Sequence, residues 1–276
     1  MDFTLHTYCK LLKAIKEAGY SFVTFEEWCD GKAVGKFVIL RHDVDLKPNN
    51  SLRIAQLEAE FGIKTSYYFR ANSNSNQKEI IQAIVGLGHE IGYHYNELST
   101  FSGNTEKSIK HFEMQLKYLR QFYPVRTICM HGSPTSKYDN RDLWKKYNYR
   151  DYGIIGEPYL DFLIPHTSPL TPLQVEMITN NGVGDTVQYF TDTARMWDGD
   201  KFNIRDKTLN NYRFAKSNKI HTTFDLINWF ETSETSNPIM ITTHPQRWTN
   251  NGFEWFVELV FQNLKNKIKQ LLLKLR

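Results

Sequence analysis

The feature that most restricts the fold of this chain is a repeated pattern. Short apolar runs, rich in β-branched and aromatic residues, each end abruptly in titratable side chains. Residues 37–40 (FVIL) pass directly into Arg41, His42, Asp43, Val44 and Asp45. Residues 88–95 (GHEIGYHY) close on His94, and 126–130 (RTICM) lead into His131-Gly132-Ser133-Pro134. Residues 238–243 (PIMITT) lead into His244-Pro245-Gln246-Arg247-Trp248. A continuous apolar run of this length suits a strand buried on both faces, as in a parallel sheet. Further strand signals lie at 64–70, 153–155 and 187–190, which brings the expected strands to about seven. Between the runs, apolar residues recur at helical spacing over 3–18, 50–61, 77–85, 104–121 and 254–276. A short helix is expected at 142–147, a path over the surface at 22–28 and a loop at 191–200. Strands alternating with helices imply an α/β fold with a mainly parallel sheet, open or closed as a barrel.

The length of 276 residues and the 41% hydrophobic share fit one large domain with a substantial core. The formal charge of +4 is mild and does not indicate a nucleic-acid binder, so no nucleic-acid partner is expected. Cys9, Cys29 and Cys129 form no CxxC pair and cannot all pair with each other, which fits a reducing compartment. The first residues are amphipathic, with no long apolar run, so neither a secretory signal nor a membrane span is expected. These features together give the expectation of a cytoplasmic protein.

In a parallel sheet the C-terminal strand ends lie on one side, so the four polar clusters converge in space. In an extended backbone Asp43 and Asp45 point one way and His42 the other. Two close carboxylates repel unless a cation sits between them, which suggests a metal site with a neighbouring base. The alternative is a solvated strand end, with Asp45 capping the helix after Pro48. His89 precedes its strand and reads as structural, whereas His94 reads as a site residue. Glu97 lies one helical turn beyond His94 and is either part of the site or an ordinary surface carboxylate. Arg41, Arg195 and Arg247 could orient Asp43, bind an anionic substrate or simply be solvated. Tyr93, Tyr95, Trp197 and Trp248 flank the clusters and could stack on sugar rings or fill the core.

RHDVD, GHEIGYHY and ITTHP, in this order and placement, resemble motifs of the polysaccharide deacetylases of the NodB-homology type. The resemblance runs from about residue 37 to 244. It implies an irregular (β/α) barrel with fewer strands than a regular eightfold one. It also implies that one residue of the aspartate pair is a base and the other a metal ligand, that His94 is a metal histidine and that His244 is a general acid. The departures are specific. Val44 separates aspartates that are adjacent in the family. Leu98 stands where the family has its second metal histidine. CMHGSP replaces an arginine-proline-glycine turn, and the Asp-Trp motif is only echoed by Asp192, Trp197 and Asp198.

The resemblance thus implies a divergent branch with a rebuilt divalent-metal site. Asp45 and His94 would be ligands, with His131 as third ligand and Glu97 as its competitor; Cys129 is the weaker candidate. Zinc suits such donors, with cobalt, nickel and manganese left open. Asp43 would be the base and His244 the acid, with Arg41, Arg195, Trp197 and Arg247 as substrate-binding residues. The expected activity is removal of an N- or O-acyl group from a small carbohydrate or glycan precursor. The alternatives are a metal-independent cyclic-amide hydrolase or lyase of the same fold, and a non-catalytic carbohydrate-binding protein. Residues 1–276 are expected to form a single domain, with 1–34 a helical extension and 254–276 a helix packed on the barrel. In that last helix Val257, Val260, Phe261, Leu264, Ile268, Leu271 and Leu272 form an apolar stripe, expected to face the barrel and not a membrane.

Overall fold

A computed structural model of the chain describes residues 1–72, 74–163, 187–199 and 219–274. The FVIL run forms a strand that continues past its apolar residues. This strand, β2, spans Phe37–Val44, so Arg41, His42 and Asp43 lie inside the sheet and every residue of the strand is buried. Ahead of it come α1 (Leu5–Glu17), β1 (Ser21–Val23) and α2 (Phe25–Cys29). The Thr4 hydroxyl caps α1 and Thr24 forms a capping box with Glu27 on α2. After β2 follow α3 (Pro48–Glu60), β3 (Ser66–Phe69), α4 (Lys78–Gly86), β4 (Glu90–Tyr95), α5 (Glu97–Thr100), α6 (Thr105–Leu119) and β5 (Ile128–Met130). The last described elements are β6 (Gln188–Thr191), α7 (Thr223–Thr232), β7 (Ile239–Thr243) and α8 (Gly252–Lys274).

The strands join in the order β5-β4-β3-β2-β7-β6, every pairing is parallel, and the sheet curls into a half-barrel. One edge of β2 is shared in sequence: β1 pairs with its start (Val23↔Ile39) and β3 with its end (Val44↔Phe69). The other edge carries β7, with Leu40 opposite Ile241. The strand count matches the expectation, but two strands differ. Residues 153–155 form no strand; only an isolated bridge joins Thr127 to Gly156 there. Residues 21–23, by contrast, enter the sheet as β1, and Phe25 and Trp28 behind them are fully buried, not spread over the surface. Residues 142–147 lie near a single 3-10 stretch, Asn140–Lys145. Gly92 in β4 answers a close approach: a Cβ there would sit 2.3 Å from the Tyr68 ring on the neighbouring strand.

Behind the sheet, α3 contributes a fully buried carboxylate. Glu58 accepts hydrogen bonds from the hydroxyls of Tyr8, Thr65 and Tyr67 and lies 2.9 Å from His42 Nε2. Burial works to raise the Glu58 carboxyl, but the His42 imidazole outweighs it and holds the pKa down at about 2. A folded pKa below the unfolded value of about 4.3 means stabilisation that is complete above that pH and lost as pH falls through the folded value. Wild-type protein should therefore lose stability between about pH 4.3 and 2, and Glu58→Gln should flatten that limb while being less stable at pH 7. Urea midpoints measured across this range check it; parallel curves for the two proteins would contradict it.

The orientation of α8 overturns the expected packing of its apolar stripe. Glu258, Gln262 and Asn266 are buried, and Asn266 Nδ2 donates to Ala194 O at 3.1 Å. Val260, Phe261, Leu264, Ile268 and Leu271 are all exposed by 49% or more. The Leu272 side chain lies outside the described residues. No helix of the described residues is long and apolar enough to cross a membrane.

Candidate metal centre and catalytic cleft

Four strand ends supply the site. Asp43 is the penultimate residue of β2, Asp45 follows β2, His94 lies in β4, His131 follows β5 and His244 follows β7. Asp43, Asp45, His94, His131 and His244 all line one cleft of about 300 Å³. The sheet thus brings together residues as much as two hundred positions apart.

Asp45 Oδ1 lies 3.8 Å from His94 Nε2 and 3.5 Å from His131 Nε2. The donor atoms of Asp45, His94 and His131 lie within 4.8 Å of one another. The ring tautomers follow from the other nitrogens. His94 Nδ1 lies 3.0 Å from the Cys129 carbonyl, so it donates there and leaves Nε2 with its lone pair. His131 Nδ1 meets Ser133 Oγ at 2.9 Å, and Asn140 Nδ2 holds that hydroxyl at 3.2 Å. Burial pushes the His131 imidazole down to about 3, against the pull of Asp45, so it is neutral at ordinary pH. Burial opposes ionisation of Asp45, yet His131 and His94 hold its carboxyl well below the usual range. Asp45 Oδ1 is buried and has no hydrogen-bond partner.

Asp45 does not cap α3: Lys47 occupies that position, without a side-chain hydrogen bond. The nearest cation, Arg70 Nη1, stands 3.9 Å from Asp45 Oδ1, beyond hydrogen-bond reach, and a buried carboxylate oxygen facing imidazole lone pairs favours a cation held between them. The three residues therefore fit a divalent metal, with donors of the kind zinc takes and an open side on the cleft. Glu97 faces elsewhere. It accepts from the Tyr93 hydroxyl and from Asn96 N, and lies 3.3 Å from His111 Nδ1. Cys129 belongs to an overlapping group, with Asp43 and His94, whose donor atoms also lie within 4.8 Å.

Asp43 is fixed by Arg41, whose Nη2 donates to Asp43 Oδ2 at 3.0 Å and to the Tyr159 hydroxyl at 2.8 Å. Asp43 Oδ1 is left without a partner. Arg41 is fully buried, which removes it from the expected substrate-binding set: it positions Asp43 instead. Arg195, packed against the Phe3 and Trp255 rings, and Trp197, which donates to Thr223 Oγ1 at 3.0 Å, are also buried away from the cleft. Arg247 does line the cleft, but its guanidinium is committed to Asp192. Tyr93, Tyr95 and Trp248 are core residues, at most 1% exposed, and offer no stacking face.

Asp192 is the residue that sequence reasoning undervalued. It sits at the end of β6, fully buried, with Oδ1 at 2.6 Å from His244 Nδ1 and Oδ2 accepting from His244 N at 3.0 Å. Trp248 Nε1 also donates to Oδ2, at 3.0 Å. Burial raises the Asp192 carboxyl, but Arg247 and His244 outweigh this and hold it at about 2. Arg247 Nη1 also lies 2.9 Å from His244 Nδ1, and the ionised carboxylate favours a proton on that nitrogen, shared with Asp192 Oδ1. Asp198, which shares the loosely echoed motif, instead pairs with His221 at 2.7 Å. His89 is structural, with Nε2 at 3.0 Å from the Ala55 carbonyl.

Comparison with family models and with curated proteins finds no match. Among solved structures the chain is similar to a family 4 carbohydrate esterase from Streptococcus mutans, at 15% identity and a TM-score of 0.44, covering 92% of this chain and 89% of that one. It is also similar to a family 4 carbohydrate esterase from Bacillus anthracis, at 15% identity and a TM-score of 0.36, covering 53% of this chain and 66% of that one. A family 4 pseudoenzyme from Bacillus anthracis matches at 11% identity and a TM-score of 0.38, covering 84% of this chain and 61% of that one. The chain thus spans less than two thirds of the length of these two Bacillus anthracis proteins. At such scores the likeness adds nothing to the side-chain geometry.

Proposed function

We propose that this chain is a metal-dependent hydrolase that removes an N- or O-acyl group from a carbohydrate. The observation that carries this reading is one cleft holding Asp45, His94 and His131 around a carboxylate oxygen that has no hydrogen-bond partner, with Asp43 and His244 lining the same cleft. A divalent metal held there would polarise the acyl carbonyl and acidify a water. Asp43, clamped by Arg41, has Oδ1 open to accept the proton of that water. His244, backed by Asp192 at Nδ1, carries the proton that the departing amine or alcohol takes from Nε2.

The carbohydrate class is supported by a second groove that shares Arg70, His131, Ser133 and Pro134 with the cleft. That groove adds Asn96, Ser99, Thr100 and Tyr138, whose amide and hydroxyl groups suit sugar hydroxyls.

Acetate release from N- and O-acetylated sugars tests the proposal, using protein stripped by chelator and reloaded with zinc, cobalt, nickel or manganese. Stripped protein that works as well as reloaded protein would sink it. In the same assay Asp43→Asn should abolish turnover yet keep its metal. Its melting temperature should drop by the equivalent of about 2 kcal/mol, because buried Arg41 loses a charged partner. Near-normal turnover in that variant would remove Asp43 as the base.

A further inference from the structure

We infer that the carbohydrate is acidic, and that Arg70 binds the carboxylate or phosphate it carries. The inference rests on the hydrolase reading above and adds the substrate class. Arg70 directly follows β3, the strand between β2 and β4. Parallel strand direction therefore delivers its guanidinium beside Asp45 and His94, the proposed ligands at the ends of the flanking strands. Ser75, fully buried, fixes the position from the backbone side. Its hydroxyl donates to Arg70 O at 2.9 Å and accepts from Arg70 N at 3.1 Å. The Arg70 side chain, 21% exposed, lines both the cleft and the neighbouring polar groove.

That guanidinium donates no hydrogen bond to any described residue. Its Nε is buried without a partner, and the nearest carboxylate oxygen, Asp45 Oδ1, stands 3.9 Å from Nη1. Asp45 is also the carboxylate that a divalent metal would claim. A largely buried guanidinium that no acceptor answers is costly. Its planar fork suits two oxygens of one carboxylate or phosphate. The other carboxylates on the cleft are engaged elsewhere: Asp43 accepts from Arg41 at 3.0 Å, and the charge of Glu258 acts on Arg195. Lys265 and Lys269 of α8 line the same cleft, and Lys265 makes no ion pair with a described residue. A neutral sugar would leave these positive charges unanswered, whereas an acidic one answers Arg70 directly and is drawn in by their common field. Because Arg70 stands next to a proposed metal ligand, the acid group lies close to the acyl group, on the same sugar or the next one along.

Titration calorimetry on the zinc-loaded full chain tests this. The probes are N-acetylglucosamine, its anomeric phosphate, its primary-alcohol phosphate and N-acetylglucosaminuronic acid. At least one acidic probe should bind about ten- to a hundredfold more tightly than the neutral sugar, and its acid group tells phosphate from carboxylate. Arg70→Gln should remove that advantage while zinc content holds, and Arg70→Lys should restore part of it. Lys265→Gln, a change at an exposed side chain, should reduce the advantage in part. Acidic probes that bind no more tightly than the neutral one overturn the proposal. So does an advantage that Arg70→Gln keeps in full, which would seat the anion on the metal. Acetate release from the same four probes tests the hydrolase reading separately. No release from any of them, with the acid preference intact, would sink hydrolysis and leave Arg70 as the anion site of a non-catalytic binder.

Discussion

Replacing His131 by alanine is expected to strip the protein of most of its metal and of its activity together. His131 Nε2 lies closest to the orphaned Asp45 oxygen, and loss of its ring leaves two ligands where a catalytic site uses three. Partners one shell further out typically cost ten- to a hundredfold in metal affinity, so a direct ligand should cost more than ~100-fold. Elemental analysis after dialysis against a dilute metal buffer reads this directly. Glu97→Gln is the control: its carboxylate serves Tyr93, Asn96 and His111, so metal should stay bound. A His131→Ala protein that keeps a full equivalent of metal would make His131 a substrate contact.

The second large effect is expected at His244. Its alanine variant should lose about a hundredfold to ten-thousandfold in kcat, the range for a general acid, with KM little changed. Asp192→Asn should act through His244: an amide facing Nδ1 no longer fixes the proton there or supports the charged ring. The pH dependence of kcat should therefore move in Asp192→Asn, which a merely structural residue would not cause. If His244→Ala raises KM and leaves kcat intact, His244 binds substrate and does not deliver a proton.

The strands that carry chemistry were legible because each is a buried apolar run that ends in polar residues, and burial on both faces leaves that signature. The convergence of Asp45, His94 and His131 follows from parallel strand direction alone, so it could be read without coordinates. β1 could not be, because Ser21–Val23 is three residues long and takes its conformation from the edge of β2. Residues 153–155 carried a strand pattern, yet the chain makes only one bridge there. Arg41 could be read as orienting Asp43, two residues on, but its burial could not, because the second partner, Tyr159, comes from a distant segment. Asp192 was weak as a signal for the same reason: the imidazole it serves lies 52 residues later. The helical stripe of α8 was legible as a stripe, but periodicity does not say which side faces the protein, and there the polar side does.

The pairing of β2 with β7 sets an order in time. His42 Nδ1 meets Thr243 Oγ1 across a separation of 201 residues, and His244 is the next residue. Asp45, His94 and His131 all precede residue 132, on strands that pair through β3 and β4 without β7. A ribosome adding roughly 5–20 residues per second delivers His244 on the order of ten seconds after His131. During that interval the nascent chain holds every proposed metal ligand and lacks the proposed proton donor. Metal capture is therefore expected to come first, and competence to cleave a substrate arrives only when β7 is laid beside β2.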